Sequence, residues 1–204
     1  MKKLYAVALL LALSFAAAAS KAAASKTGDT TDAKAVVTLG SVVSDFALPD
    51  ADGHAHSLAS LKGKAATVLI FVATRCPVSN AYNERMRKLA DDYRARGVNV
   101  VGINANSTET AAEVKEHAAN KGFTFPVLKD SGNVIADRFD AQVTPEAYVI
   151  DASGKLVYHG RIDNSRSGDS VTSNDLRDAL DAVLAGKPVE HPEAKAFGCS
   201  IKRG

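Results

Sequence analysis

Thr67-Val68-Leu69-Ile70-Phe71-Val72 is apolar at nearly every position, and no other stretch constrains the fold as much. A strand with one wet face alternates apolar and polar residues; one that does not alternate must be covered on both faces. The run therefore reads as a parallel strand inside a sheet with a layer on each side. Lys62-Gly63-Lys64 leads into it, and Thr74-Arg75-Cys76-Pro77 follows it.

The rest of the chain supplies those layers. After Pro77 the pattern predicts a helix to about Arg96, with Val78, Tyr82, Met86, Leu89 and Tyr93 on one face and Gly97 as the stop. Residues 98–103 form a second apolar strand, so the helix is a βαβ crossover. Asn106-Ser107-Thr108 offers caps for a helix over residues 109–120, stopped by Gly122. A short strand (125–128) and a short helix (133–139) follow. Residues 147–151 and 156–160, joined by Ala152-Ser153-Gly154-Lys155, read as a hairpin that turns the sheet antiparallel. A last helix spans 176–184 and ends at Gly186. Upstream, residues 46–61 read as a hairpin around Pro49-Asp50-Ala51-Asp52-Gly53. The expected class is α/β, a mixed sheet flanked by helices with an N-terminal β-hairpin, over residues 36–185. Residues 186–204 are expected to be an extended tail that carries Cys199.

The first residues point to export. Lys2 and Lys3 precede an unbroken apolar and small run from Leu4 to Ala19. Small-x-small cleavage patterns follow at Ala17-Ala18-Ala19 and Ala22-Ala23-Ala24. The competing reading is a transmembrane anchor, but the run is short, Ala-rich and dissolves into Ser, Lys and Thr. Residues 1–24 are thus expected to be a signal peptide and 25–35 a disordered leader. The mature chain would be periplasmic or secreted, with no membrane anchor after cleavage, where disulfides persist. The 25 basic and 23 acidic residues give a formal charge of +2; losing Lys2, Lys3 and Lys21 leaves the chain close to neutral. Without a Lys/Arg cluster, a nucleic-acid partner is not expected.

Cys76 is the first candidate for chemistry. It follows the buried strand, and Pro77 suits the first helical position. A helix N-terminus stabilises an anion and so raises the thiolate fraction of a cysteine placed there. Arg75 adds to this if its side chain turns that way. The alternative is an inert buried cysteine. Cys199 is the only other cysteine, so an exported chain offers one disulfide or two independent thiols. Reach permits pairing, since the residues after Gly186 extend to about 43 Å. No metal site is expected: His54 and His56 alternate on a solvated strand, and zinc would need four well-spaced ligands.

Several segments carry a resemblance. Phe71-Val72-Ala73-Thr74-Arg75-Cys76-Pro77-Val78-Ser79 is similar to the strand and active-site segment of extracytoplasmic thioredoxin-like proteins, in which a Cys-x-x-Cys pair opens the helix. Val143-Thr144-Pro145-Glu146-Ala147-Tyr148-Val149-Ile150-Asp151 is similar to their Thr-Pro segment, whose proline is cis and faces the sulfur. Asp45-Phe46-Ala47-Leu48-Pro49-Asp50 with Gly53, and Leu61-Lys62-Gly63-Lys64, resemble the N-terminal hairpin of the redoxins related to alkyl hydroperoxide reductase and thiol-specific antioxidant proteins. Gly198-Cys199-Ser200-Ile201 resembles the C-terminal ending of one redoxin branch. Two departures stand out. Ser79 replaces the second cysteine of the pair. Leu69 and Ala73 stand where peroxiredoxins place a Pro and a Thr or Ser ahead of the peroxidatic cysteine, and Glu146 and Ala147 stand near their partner Arg.

The resemblance implies a thioredoxin-like fold and an exported thiol-dependent oxidoreductase, with thiol-disulfide or weak peroxidase-type chemistry. Cys76 would be the nucleophile and Cys199 the candidate resolving thiol, paired in the oxidised protein. Arg75, Pro77, Ser79, Thr144 and Pro145 would form the substrate groove. Partners would be protein thiols or disulfides or a small oxidant, with an unassigned electron donor and no cofactor. Ser79 keeps the alternative open: a non-enzymatic module of the same fold that binds a partner peptide or a metal ion.

Overall fold

The computed structural model describes residues 36–204, so the expected signal peptide and leader lie outside the described residues. β1 (Ala47–Pro49) and β2 (Ala55–Ser57) pair antiparallel. Then come β3 (Ala66–Phe71), α1 (Pro77–Ala81), α2 (Asn83–Arg94), β4 (Val98–Asn104) and α3 (Ala111–Asn120). β5 (Val127–Lys129), α4 (Val134–Arg138), β6 (Val143–Thr144), β7 (Glu146–Asp151) and β8 (Leu156–Gly160) follow. The chain ends with α5 (Asp175–Leu184), β9 (Glu193–Ala194) and β10 (Cys199–Ser200).

The central sheet has the strand order β5-β4-β3-β7-β8-β9. β3, β4 and β5 run parallel, β7 lies antiparallel against β3, and β8 antiparallel against β7. Every residue of β3 is buried, and the strand's two faces enter different cores. Val68 and Ile70 join Met86, Leu89 and Tyr93 of α2 and Leu176 and Leu180 of α5. Leu69 and Phe71 join Ile103, Phe139, Tyr148 and Ile201 on the other side. The unbroken apolar run thus has the double covering it requires.

Three local differences from the sequence reading matter for the site. The helix after Cys76 is broken at Tyr82, whose N–H bonds Ser79 O at 3.0 Å, three residues back instead of four. The tighter turn reorients the chain there, and the buried Tyr82 hydroxyl donates to Asp163 Oδ1 at 2.9 Å. Second, α3 starts at Ala111, because Thr110 is its cap: Thr110 Oγ1 accepts the Glu113 N–H and Glu113 Oε2 accepts the Thr110 N–H. Glu109 is left outside the helix. Third, residues 186–204 are extended and also packed onto the sheet and the site. β9 joins β8 in parallel register, and Gly160 gives it room, since a Cβ there would lie 2.1 Å from Ala194 O. β10 pairs antiparallel with β6.

Ile70→Ala, at a fully buried position on β3, is expected to destabilise the domain by about 2–5 kcal/mol. Urea unfolding followed by circular dichroism measures this; a loss below about 1 kcal/mol would contradict the double-layer packing of β3.

Candidate active site

Cys76 is the N-cap of α1, with extended backbone (φ −86°, ψ 117°) and Pro77 behind it at the first helical position. Its sulfur accepts the Ser79 N–H at 3.3 Å, so one of the helix's unpaired donors points at it. The residue itself is only 4% exposed. Ser79 is fully buried, and its Oγ accepts the Ala73 N–H at 3.1 Å, so its side chain braces the strand end. Asn80 Nδ2 donates to Thr74 O at 2.9 Å.

Two further donors of this loop go to one carboxylate. Glu109 Oε2 accepts the Thr74 N–H and Oε1 the Arg75 N–H, both at 2.9 Å, and Asn104 Nδ2 donates to Oε2 at 2.5 Å. Glu109 is 3% exposed. Burial works to raise its pKa, but the hydrogen bonds from Thr74, Asn104 and Arg75 outweigh burial and hold it below the usual carboxylate range. Arg75 does not turn towards the sulfur. Its guanidinium pairs with Glu113 on α3 and is largely exposed.

The facing wall is built the same way. The Thr144–Pro145 bond is cis, and Thr144 O lies 3.4 Å from Cys76 Sγ. Glu146 Oε2 accepts the N–H groups of Gln142 and Val143 at 2.8 and 3.1 Å, while Oε1 meets His159 Nε2 at 2.6 Å. Glu146 is buried; burial raises its pKa, and the His159 and backbone hydrogen bonds more than reverse this. Thr144 Oγ1 is buried and makes no hydrogen bond.

Cys199 closes the cleft. It is joined to Cys76 by a disulfide with Cα atoms 5.8 Å apart, and it pairs opposite Thr144 in β10–β6. Cys199 is partly exposed where Cys76 is not. Cys76, Ser79, Thr144, Pro145 and Cys199 therefore stand together, while the Arg75 side chain points away. Asp50 meets both His54 and His56, at 3.4 and 2.8 Å. Among the described residues no group of three or more His, Cys, Asp or Glu is arranged to hold a metal ion.

With this geometry in view, the comparisons with known proteins decide the family. Residues 39–159 match the sequence profile of the AhpC/TSA family. The chain belongs to that family. It is 29% identical over 123 residues to the thiol-disulfide oxidoreductase ResA of Geobacillus kaustophilus, covering 60% of this chain and 69% of ResA. Among solved structures, a hypothetical protein from Sinorhizobium meliloti is similar at 39% identity and TM-score 0.76, covering 82% of this chain and 96% of that one. A candidate thioredoxin from Neisseria meningitidis shares the fold at 22% identity and TM-score 0.58, covering 75% of this chain and 95% of that one. The fold is thioredoxin-like.

Neither Glu109 nor Glu146 stood out in the sequence as a site residue. For Glu109 a signal existed: the Thr-x-x-Glu capping pattern at Thr110 places it before the helix and frees its side chain. Both carboxyl groups have folded pKa values below the usual carboxylate value. Their stabilisation is therefore present above that value and lost as pH falls through the folded pKa. Glu109→Gln keeps one acceptor oxygen but sets an amide donor against either the Thr74 or the Arg75 N–H, and is expected to cost about 1–3 kcal/mol at pH 7. It is also expected to speed amide exchange at Thr74 and Arg75. The difference from the parent protein should shrink as pH falls through the Glu109 folded pKa; a difference independent of pH would contradict the ionised clamp.

Proposed function

We propose that the chain is an exported thiol-disulfide oxidoreductase in which Cys76 is the nucleophile and Cys199 the resolving thiol. The observation that carries this reading is the Cys76–Cys199 disulfide, placed at a helix N-terminus and against Thr144 and cis-Pro145. The likeness to a protein named thiol-disulfide oxidoreductase supports the same class. Export rests on the pattern of residues 1–24.

In the reduced protein the Cys76 thiolate attacks one sulfur of a partner disulfide. A Cys76–partner bond forms, the partner's S–S bond breaks, and its second sulfur leaves as a thiolate that takes a proton from water. Cys199 thiolate then attacks Cys76 Sγ, restoring the internal disulfide and releasing the partner as a dithiol. Two electrons pass from the Cys76 and Cys199 thiols to the partner, and an external dithiol donor reduces the internal disulfide before the next turn. The Ser79 N–H stays on the Cys76 sulfur throughout and favours its thiolate form. Pro77, Thr144 and Pro145 form the groove walls beside the sulfur, with Ser79 bracing them from within and Arg75 at the rim. A partner disulfide is favoured over peroxide because Leu69 and Ala73 stand in place of the Pro and the Thr or Ser of peroxiredoxins, and the buried Ala73 offers no hydroxyl to position a peroxide.

Cys76→Ser is expected to reduce disulfide exchange to background. Cys199→Ser should leave a first step that proceeds and then stalls as a stable mixed disulfide, visible by mass spectrometry. The Cys76 thiol in Cys199→Ser is expected to titrate below the ordinary cysteine value of about 8.5 in pH-dependent alkylation. Free exchange activity in Cys76→Ser, or a Cys76 pKa at or above that value, would overturn the assignment.

A further inference from the structure

The last six residues are held as a bound peptide is held. Cys199 and Ser200 pair antiparallel with Thr144 and Val143. The Ile201 N–H donates to Gln142 O at 2.9 Å, and the Ile201 side chain is buried in the core beside Phe139 and Tyr148. Asn106 Oδ1 accepts the Lys202 N–H at 2.7 Å, and the Ser107 N–H returns to Lys202 O at 2.8 Å. Arg203 Nε donates to Asp137 Oδ1 and Nη2 to Ala141 O, each at 2.8 Å. The Gly204 N–H reaches Asn133 Oδ1 at 3.2 Å. Before the cysteine, Gly198 lies so close to Thr144 that a Cβ would sit 1.9 Å from its carbonyl oxygen.

Backbone pairing with an edge, alternate side chains in specific seats and buried asparagines on the main chain together make a strand-recognition groove. Its contacts read a sequence: no side chain before the cysteine, an aliphatic residue two after it, and, through an exposed and therefore weaker ion pair, an arginine four after it. Ser200 and Lys202 are exposed and contribute only main chain to the hydrogen bonds above. We infer that this groove recognises extended partner segments of the form Gly-Cys-x-aliphatic-x-Arg, and that the chain's own C-terminus is one such segment bound in cis. The inference rests on the proposed disulfide exchange and names its substrate class. It also gives the exchange an order. The partner segment enters when the internal disulfide is open and the tail has left, Cys76 attacks the partner's cysteine, and the returning tail displaces the partner as Cys199 attacks Cys76. Bonds and electrons balance as in the cycle above.

The test uses full-length Cys199→Ser and the octapeptide Phe-Gly-Cys-Ser-Ile-Lys-Arg-Gly, activated on its cysteine as the 2-thiopyridyl disulfide. Comparator peptides carry Ile201→Asp, Gly198→Val or Arg203→Glu. The protein's own tail competes equally with all of them, so the ratios of second-order rates report the groove. The parent peptide is expected to react about tenfold or more faster than the Ile201→Asp and Gly198→Val peptides. Asp137→Lys in the protein should erase its preference over the Arg203→Glu peptide, an effect that loss of folding would not confine to one peptide. Rates within twofold across the peptides, with dithiodipyridine still reacting at Cys76, would overturn the recognition site and leave the nucleophile standing. Failure of dithiodipyridine as well would remove both.

Discussion

A carboxylate that accepts two consecutive backbone N–H groups cannot be moved without stranding both donors, and each wall of this site is built on one. Glu109 holds Thr74 and Arg75, the loop that delivers Cys76. Glu146 holds Gln142 and Val143, the strand that faces it. Burying a carboxylate is unfavourable unless hydrogen bonds replace its water, and here the depressed pKa of both groups says that they do. The sulfur's surroundings are fixed by these bonds before any substrate arrives. The apolar core beneath places the elements; the two carboxylates set the gap between them.

The tail is held across that gap by two kinds of interaction of different lifetime. The disulfide closes a separation of 123 residues, and the entropic account assigns such a loop about 5 kcal/mol of constraint on the unfolded chain. Reduction removes that contribution at once. What remains is the burial of Ile201, about 1.5–3 kcal/mol, the short β10–β6 pairing, the hydrogen bonds to Asn106 and Asn133 and the exposed Arg203–Asp137 ion pair. The proposed exchange requires that this segment leave and return once the disulfide is open. This is the property that the resolving role proposed for Cys199 requires, in a protein whose helix carries Ser79 in place of a nearby second cysteine.

The double-faced strand was legible because each of its residues is apolar, and the helix position of Cys76 because Pro77 follows it. The two hairpins were legible from turn residues between short apolar runs. The count of two cysteines left one disulfide or two independent thiols open, and the structure has the disulfide. The clamps were not legible in that way. Glu109 bonds Thr74 from 35 residues away, and a glutamate beside a helix start looks like any solvated one. Glu146 sits in a strand that reads as apolar, and its role depends on His159 across the sheet. Strands β6, β9 and β10 are two residues each, too short to show a period. The direction of the Arg75 side chain was open in the sequence, and its pairing with Glu113 settles it.

The proposed chemistry requires Cys76 and Cys199 to form one internal, reversible two-electron couple. The direct measurement is a redox titration of the full-length protein in dithiothreitol buffers, quenched with an alkylating agent and read by mass. A single transition from no label to two labels per chain is expected, with a two-electron slope and the chain monomeric on non-reducing gels. Singly labelled protein across the transition, or a disulfide that joins two chains, would contradict it.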